Sequence, residues 1–228
     1  MPGYLLHYAA VKPELLKNRS FMLGVEAPDI LKKYIRIYGI DGARCKYNWL
    51  KTSEMPNYDR LEERASQAEK PDSSEGLHYG ISSNPNIWAC WNSFTDAEKS
   101  NPFFRGYIWH LLTDYIMYKR LDINKKFTEI LTPFKDDSNL VEIQKKAKNE
   151  LHRDWDKTNF RVKTTYPEVV LPEEIIDLDV VKYIDDDKLI YVNWPVLKST
   201  IDFLRTYDPL NATTSEMEDM IKKIIDAA

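Results

Sequence analysis

The chain contains few residues of the types on which several protein classes depend. Its 228 residues include only seven glycines and two cysteines, Cys45 and Cys90. Sheet-rich folds and phosphate-binding loops both use glycine for backbone conformations that other residues avoid, so this scarcity favours helices. Two cysteines cannot build the disulfide framework of a small secreted domain or a zinc-binding cluster of thiolates. The composition therefore favours a helical domain whose core needs no covalent cross-link.

Long hydrophobic runs and targeting signals are also missing. No apolar run approaches the length of about 18 residues that suggests a transmembrane helix. The first ten residues, MPGYLLHYAA, lack the basic start, the apolar core and the cleavage site of a secretory signal. The net charge of −4, with scattered Lys and Arg, disfavours a nucleic-acid surface. We therefore expect a cytoplasmic protein without a transmembrane segment or a nucleic-acid partner.

Helical periodicity dominates the sequence and predicts the fold class. Apolar residues recur at intervals of three and four through most of the chain. Pro28-Asp29 and Asn101-Pro102 are each expected to open a helix, because proline is favoured in the first turn. We predict an all-α, single-domain bundle over residues 1–228. Its strand content should be below about a tenth, and its helix content well above one third.

Four local features are less regular than the rest of the chain. The segment from Pro71 to Gly76 is rich in turn-forming residues and predicts a loop. A helix is expected to begin near Ile175. The segment from Lys188 to Val192 suits either a short strand or an extended link. At the start of the last helix, Glu218 is placed for a capping box.

The most apolar segment of the chain, from Phe103 to Leu121, contains His110 and Asp114. Residues four apart share one face of a helix, with Cβ atoms about 6 Å apart. A buried aspartate without a partner is costly, so something must compensate its charge. A metal ion would do so, because His and Asp are ordinary ligands of zinc and iron. The spacing leaves two alternatives open: a hydrogen-bonded core pair, and a pair at the helix edge that faces water.

The histidines favour a metal site somewhat further. The chain has only four: His7, His78, His110 and His152. The first three lie among apolar or aromatic neighbours, and only His152 lies in a charged segment. A single histidine on an apolar face is usually a core residue, whereas three in such surroundings suggest that they converge.

Four short motifs occur along the chain in a fixed order. They are MPGYLLHY at residues 1–8, FMLGVEAPDI at 21–30, HY at 78–79 and GYIWHLLTD at 106–114. This order resembles the zinc-dependent phospholipase C family, whose helical fold is shared with zinc-dependent single-strand nucleases. The resemblance covers about residues 1–120. The character of the sequence changes beyond Tyr166, so we expect a metal-binding helical core over residues 1–165, with a C-terminal helical extension over residues 166–228 packed on the core.

The resemblance also implies roles for particular residues. Asp29, His78, His110 and Asp114 would form one metal site. His7 would bind a second metal nearby, with Asp114 bridging the two. The implied cofactor is a divalent metal, with zinc as the first choice, in one or two copies.

The chain departs from the family pattern just after the last motif. Members often have a further histidine there, whereas this chain has Tyr118-Lys119. A third metal position therefore lacks its ligands, unless nearby side chains replace them: Glu150, His152, Asp154 and Asp156. His152 and Asp156 repeat the spacing of four residues. The alternative for this segment is a solvated acidic helix face.

The implied activity is hydrolysis of a phosphoester, with a metal-bound water as the nucleophile. Asp29 could be both a ligand and the catalytic proton acceptor. The substrate would be a small phosphoester or a phospholipid-like molecule. Two other functions remain open: a one-metal hydrolase acting on an unrelated phosphate or nucleotide, and a non-catalytic helical binding module that keeps the fold and a structural metal.

Overall fold

The computed structural model describes residues 4–29, 75–81, 83–171, 182–186 and 188–228. Helices make up most of these residues. The sheet that they contain is a hairpin of two strands with two residues each. The predicted all-α fold is confirmed. Over the same residues, no helix is both long enough and apolar enough to cross a membrane.

The first half of the described chain contains short helices and the hairpin. In chain order, these elements are α1 (Tyr4–Ala9), a 3₁₀ helix (Pro13–Lys17), α2 (residues 19–29), α3 (Glu75–His78), β1 (Gly80–Ile81), β2 (Asn84–Pro85), α4 (Ile87–Asn92) and α5 (Asp96–Lys99). The two strands are antiparallel, with Gly80 opposite Pro85.

The second half contains the long helices. They are α6 (Pro102–Arg120), α7 (Ile123–Leu131), a 3₁₀ helix (Thr132–Phe134), α8 (Leu140–Thr165), α9 (Trp194–Leu204) and α10 (Thr214–Asp226). Helix α6 begins as predicted, because the Asn101 side chain accepts a hydrogen bond from the N–H of Phe103 and Pro102 lies in the first turn. Helices α4, α9 and α10 pack on α6, which is the central helix.

Helices α2 and α6 cross with their backbones in contact. A Cβ atom on Gly24 would lie 1.9 Å from the carbonyl oxygen of Phe103, and one on Gly106 would lie 2.0 Å from that of Phe21. Neither position can hold a side chain at this separation. The two glycines therefore set the distance between α2 and α6, and both helices contribute to the site described below.

The C-terminal helices are attached to α6 by polar contacts that are buried or partly buried. The Arg105 guanidinium donates to the carbonyl oxygens of Pro209 and Leu210, at 3.0 and 2.9 Å. Near the other end of α6, Arg120 donates to the carbonyl of Ala227 at 3.0 Å. Helices α9 and α10 therefore belong to the same hydrophobic core as α6. The division into a core over residues 1–165 and an extension over 166–228 stays a prediction.

One expected helix start and one expected capping box are wrong. Helix α2 begins after Asn18, whose side chain accepts a hydrogen bond from the N–H of Phe21 at 2.9 Å, and Pro28 lies inside it. Proline marks a first turn when a capping residue precedes it, and Ala27 has no side-chain acceptor. In α10 the capping box is formed by Thr213 and Glu216, not Glu218.

The other irregular segments are partly described. Glu75 and Gly76 belong to α3, so the predicted loop does not extend to Gly76. Residues 71–74 and the expected helix start at Ile175 lie outside the described residues. The described residues between 188 and 192 form an extended link rather than a strand.

Candidate metal site

Five predicted ligands come together from four helices. His7 lies on α1, Asp29 on α2, His78 at the end of α3, and His110 and Asp114 on α6. His78, His110 and Asp114 are fully buried, and His7 and Asp29 are only 1% and 4% exposed. Residues far apart in the sequence thus form one buried cluster, which we call the His/Asp cluster.

Asp114 is at the centre of this cluster. Its Oδ1 lies 3.4 Å from Nε2 of His7, and its Oδ2 lies 3.4 and 3.5 Å from Nε2 of His78 and His110. All three distances exceed the 2.7–3.2 Å, approximately, of ordinary N–H···O hydrogen bonds. The Nε2 atoms of His78 and His110 are 3.2 Å apart. The imidazoles surround the carboxylate without approaching as close hydrogen-bond donors.

Asp29 repeats this arrangement from the opposing helix. Its Oδ1 is 3.6 Å from Nε2 of His78, and its Oδ2 is 3.9 Å from Nε2 of His7. Each carboxylate therefore turns one oxygen towards His7 and the other towards His78. Both carboxylates thus contact His7 and His78, and His110 lies next to both of these imidazoles.

The tautomer of His110 is set by the backbone of α2. Its Nδ1 lies 2.7 Å from the carbonyl oxygen of Val25, which can only accept, so Nδ1 carries the proton. Nε2 then presents a lone pair to the cluster when the ring is neutral. A metal-binding histidine usually has such a partner on its other ring nitrogen. The close contact of α2 and α6 at Gly24 and Gly106 brings Val25 within reach.

His78 is held by the turn that follows α3. The Tyr107 hydroxyl donates to the carbonyl of Leu77, next to His78. Tyr79 and Gly80 then have φ angles of +52° and +139°, and these reverse the chain into the hairpin. A tyrosine with positive φ is uncommon and is retained only where its surroundings fix it. Here the Tyr79 hydroxyl bonds to Oγ of Ser93 at 2.7 Å.

His7 is held against the cluster by stacking. Its ring lies parallel to that of His110, with centroids 3.9 Å apart and 12° between the planes. Its neighbours Leu5 and Leu6 are buried in the core, so α1 is packed rather than loose. Among the described residues, neither ring nitrogen of His7 has a hydrogen-bond partner.

Burial and mutual charges shift the ionisation of the cluster. Burial lowers the pKa of His7, and the neighbouring His110 lowers it further, so His7 is neutral. Burial would also lower the pKa of His110, but its contact with Asp114 outweighs this and raises it. Burial would raise the pKa of Asp114, yet the contacts with His110 and His78 hold it well below its usual range. Asp114 therefore stays ionised although it has no access to water.

The donor atoms fit a metal ion. Four ligands at the usual 2.0–2.2 Å from zinc are roughly 3.3–3.6 Å from each other in a tetrahedron, by simple geometry. The measured separations in the cluster are 3.2–3.9 Å. Two groups of three residues each have donor atoms within 4.8 Å of one another: His7, His110 and Asp114, and Asp29, His78 and His110. These buried groups could hold a metal ion, and the donors of zinc are among those present.

The structure does not bring the further candidates into a comparable group. His152 is exposed and Asp156 half-buried, whereas Asp154 is fully buried. Oδ2 of Asp154 accepts the backbone N–H groups of residues 190–192 at 2.6–3.2 Å. Over the described part of the chain, none of these three residues belongs to a group that could hold a metal. The geometry thus assigns Asp154 to anchoring the extended link.

Sequence reasoning missed the supporting residues of the cluster. The Val25 carbonyl could not have been identified, because backbone acceptors leave no signature in side-chain patterns. Gly24 and Gly106 did appear in the motifs, and a glycine inside a helix suggests close backbone approach. That signal could have predicted the crossing of α2 and α6.

Comparisons of the chain with protein-family models, curated proteins and solved structures found no match. The resemblance to the zinc-dependent phospholipase C family therefore stays an expectation based on motifs.

Proposed function

We propose that the His/Asp cluster holds two divalent cations, with zinc as the first choice, and hydrolyses a phosphoester. One observation carries this proposal. Both Asp29 and Asp114 turn one oxygen towards His7 and the other towards His78. A carboxylate arranged in this way suits a bridging position between two ions.

The charge of the cluster supports the same conclusion. If both carboxylates are ionised and all three imidazoles are neutral, as metal ligands must be, the cluster carries a formal charge of −2, which one divalent cation would cancel. A second cation would leave a charge of +2 in a buried, low-dielectric site. Such a site attracts an anion, and a phosphate group is the substrate class that matches it.

The side chains of the cluster have distinct proposed roles. When bound, divalent metals make water more acidic and neutralise charge on phosphate oxygens. Asp29 is the proposed proton acceptor, because its contacts of 3.6 and 3.9 Å are the longest in the cluster. His110 is held by the Val25 carbonyl and orients its Nε2, and burial of the cluster excludes bulk water.

The test combines elemental analysis with turnover of a generic phosphodiester and phosphomonoester, bis(p-nitrophenyl) phosphate and p-nitrophenyl phosphate. We expect two metals per chain, and hydrolysis that chelation abolishes and zinc restores. His110→Ala should lose both metal and turnover, whereas the exposed His152→Ala should keep both. Full two-metal loading without turnover of either substrate would contradict the proposed activity.

A second function is favoured by the deep burial of the cluster. All five side chains are at most 4% exposed, and one divalent cation would balance two ionised carboxylates. A single structural metal would then fasten α1, α2, α3 and α6 together in a binding module without catalysis. One metal per chain, loss of folding on chelation and no turnover would support this function instead.

A further inference from the structure

Helix α6 has a third polar side chain on the face that presents His110 and Asp114. Tyr118 follows Asp114 by four residues and His110 by eight, so the three side chains lie one turn apart on the same face. His110 and Asp114 are completely buried, whereas Tyr118 is 8% exposed. Tyr118 therefore lies at the edge of the His/Asp cluster.

The negative charges of both carboxylates of the cluster affect the Tyr118 hydroxyl. Burial raises its pKa above the ordinary value, and the negative charges of Asp114 and Asp29 raise it further. Its position one turn after Asp114 on the same face of α6 places the phenol beside the cluster, and the effect of Asp29, which belongs to α2, agrees with this. The hydroxyl stays protonated at neutral pH and is a constant hydrogen-bond donor.

Two of the other described tyrosines near the cluster already have partners for their hydroxyl groups, whereas the Tyr8 hydroxyl is sealed in the core without one. That of Tyr107 donates to the Leu77 carbonyl, and that of Tyr79 bonds to Ser93. The Tyr118 hydroxyl makes no hydrogen bond among the described residues, and it is not one of the sealed, unpartnered atoms of the core. It is a donor beside a candidate cation site with no assigned acceptor.

We propose that the Tyr118 hydroxyl donates a hydrogen bond to an anionic oxygen of the phosphate group bound at the His/Asp cluster. This inference rests on the proposed function for the presence of metal and phosphate. Tyr118 binds and positions the phosphate, and it is not a metal ligand. Bound metals would neutralise charge on the phosphate, whereas the O–H group, a directional donor, would set the orientation of the phosphate.

The test measures binding of inorganic phosphate to the metal-loaded protein by calorimetry. Tyr118→Phe removes only the hydroxyl oxygen, and Tyr115→Phe on the same helix is the matched control. We expect Tyr118→Phe to keep the metal content of the parent and to bind phosphate about tenfold more weakly, the usual effect of losing a hydrogen bond to a charged group. Tyr115→Phe should bind phosphate like the parent. If the parent hydrolyses a phosphoester, the KM of Tyr118→Phe should rise more than its kcat falls.

The outcomes separate this inference from the proposed function. Phosphate binding that weakens in Tyr118→Phe, in a parent without turnover, would support the role of Tyr118 and contradict the hydrolase. Unchanged phosphate affinity in Tyr118→Phe with full metal content would overturn the inference and leave the hydrolase untouched. Loss of metal in Tyr118→Phe, or no phosphate binding by the metal-loaded parent, would also overturn it.

Discussion

Asp114 and Asp154 are both completely buried aspartates on long helices, but their surroundings differ. Oδ2 of Asp154 accepts three backbone N–H groups of the extended link, the closest being that of Tyr191 at 2.6 Å. Among the described residues, the oxygens of Asp114 have imidazole nitrogens near them, at 3.4–3.5 Å, but no hydrogen-bond donor closer than that. The described part of the chain thus provides close donors for the first carboxylate and none for the second.

This difference separates a structural carboxylate from a candidate ligand. A buried charge must be paired, hydrogen-bonded or bound to a metal, because its desolvation is otherwise too costly. Asp154 meets that requirement through hydrogen bonds from the chain itself. Its substitution should therefore lower the stability of the fold without a dependence on metal. Asp114 and Asp29 meet it fully only with a cation. The stability of the His/Asp cluster should therefore depend on metal, and that of the Asp154 anchor should not.

The largest effect is expected from Asp114→Asn in the presence of metal. A metal at 100 to 1,000 times its Kd stabilises the folded state by about 3–4 kcal/mol, and the variant should lose this contribution. With a chelator, variant and parent should differ by less than they do with metal, because the variant then loses only the contacts of Asp114 with His110 and His78. Urea unfolding with and without chelator measures both. An equal loss under the two conditions would contradict a metal at Asp114.

Asp154→Ala should destabilise the protein by about 3 kcal/mol, with or without chelator. The substitution leaves the buried N–H groups of Tyr191 and Val192 without an acceptor, and each unsatisfied donor costs about 1–3 kcal/mol. Asp156→Ala on the same helix is the control and should cost less than about 1 kcal/mol. A chelator-dependent loss in Asp154→Ala would place metal at that residue after all.

Gly106→Ala should destabilise the protein by about 2 kcal/mol and reduce its metal content. The new Cβ would lie 2.0 Å from the carbonyl oxygen of Phe21, so α2 and α6 must move apart. That movement would carry Val25 and Asp29 away from His110. Elemental analysis and thermal unfolding measure the two effects, with the exposed Lys119→Ala as the control. Full metal content in Gly106→Ala would show that the crossing does not position the ligands.

The smallest effect is expected from Asp186→Asn, two residues before the extended link. A hydrogen bond from Lys157 lowers the pKa of Asp186, and the two groups are 2.9 Å apart. The pKa of Asp186 is lower in the folded than in the unfolded protein, so its ionisation stabilises the fold at pH values above the unfolded-state pKa. This stabilisation is lost as the pH falls through the folded-state pKa. Parent and variant should differ in Tm near neutral pH and converge in acid. A difference that persists in strong acid or in high salt would exclude this ion pair as its cause.

The sequence predicted the fold class and the meeting of five residues, but not how they are supported. His110–Asp114 and His152–Asp156 have the same spacing, yet only the first pair enters a buried cluster. Apolar neighbours such as Leu111 and Leu112 distinguished the first pair, because helical spacing combined with apolar surroundings predicts burial. The burial of Asp154 was not predictable, since it depends on backbone donors from a segment more than thirty residues later.

The assembly of the cluster from four separate helices has a consequence for folding kinetics. The ligands come from distant parts of the sequence: His7, Asp29, His78 and Asp114. Bringing them together closes long loops, and the chain loses much conformational entropy before these contacts form. Contacts of this kind slow folding, in contrast to the local contacts within each helix. During refolding, secondary structure should therefore return before the cluster can capture an ion. The rate at which the protein takes metal from a colorimetric indicator would then measure how fast α1 packs against α6 to complete the cluster.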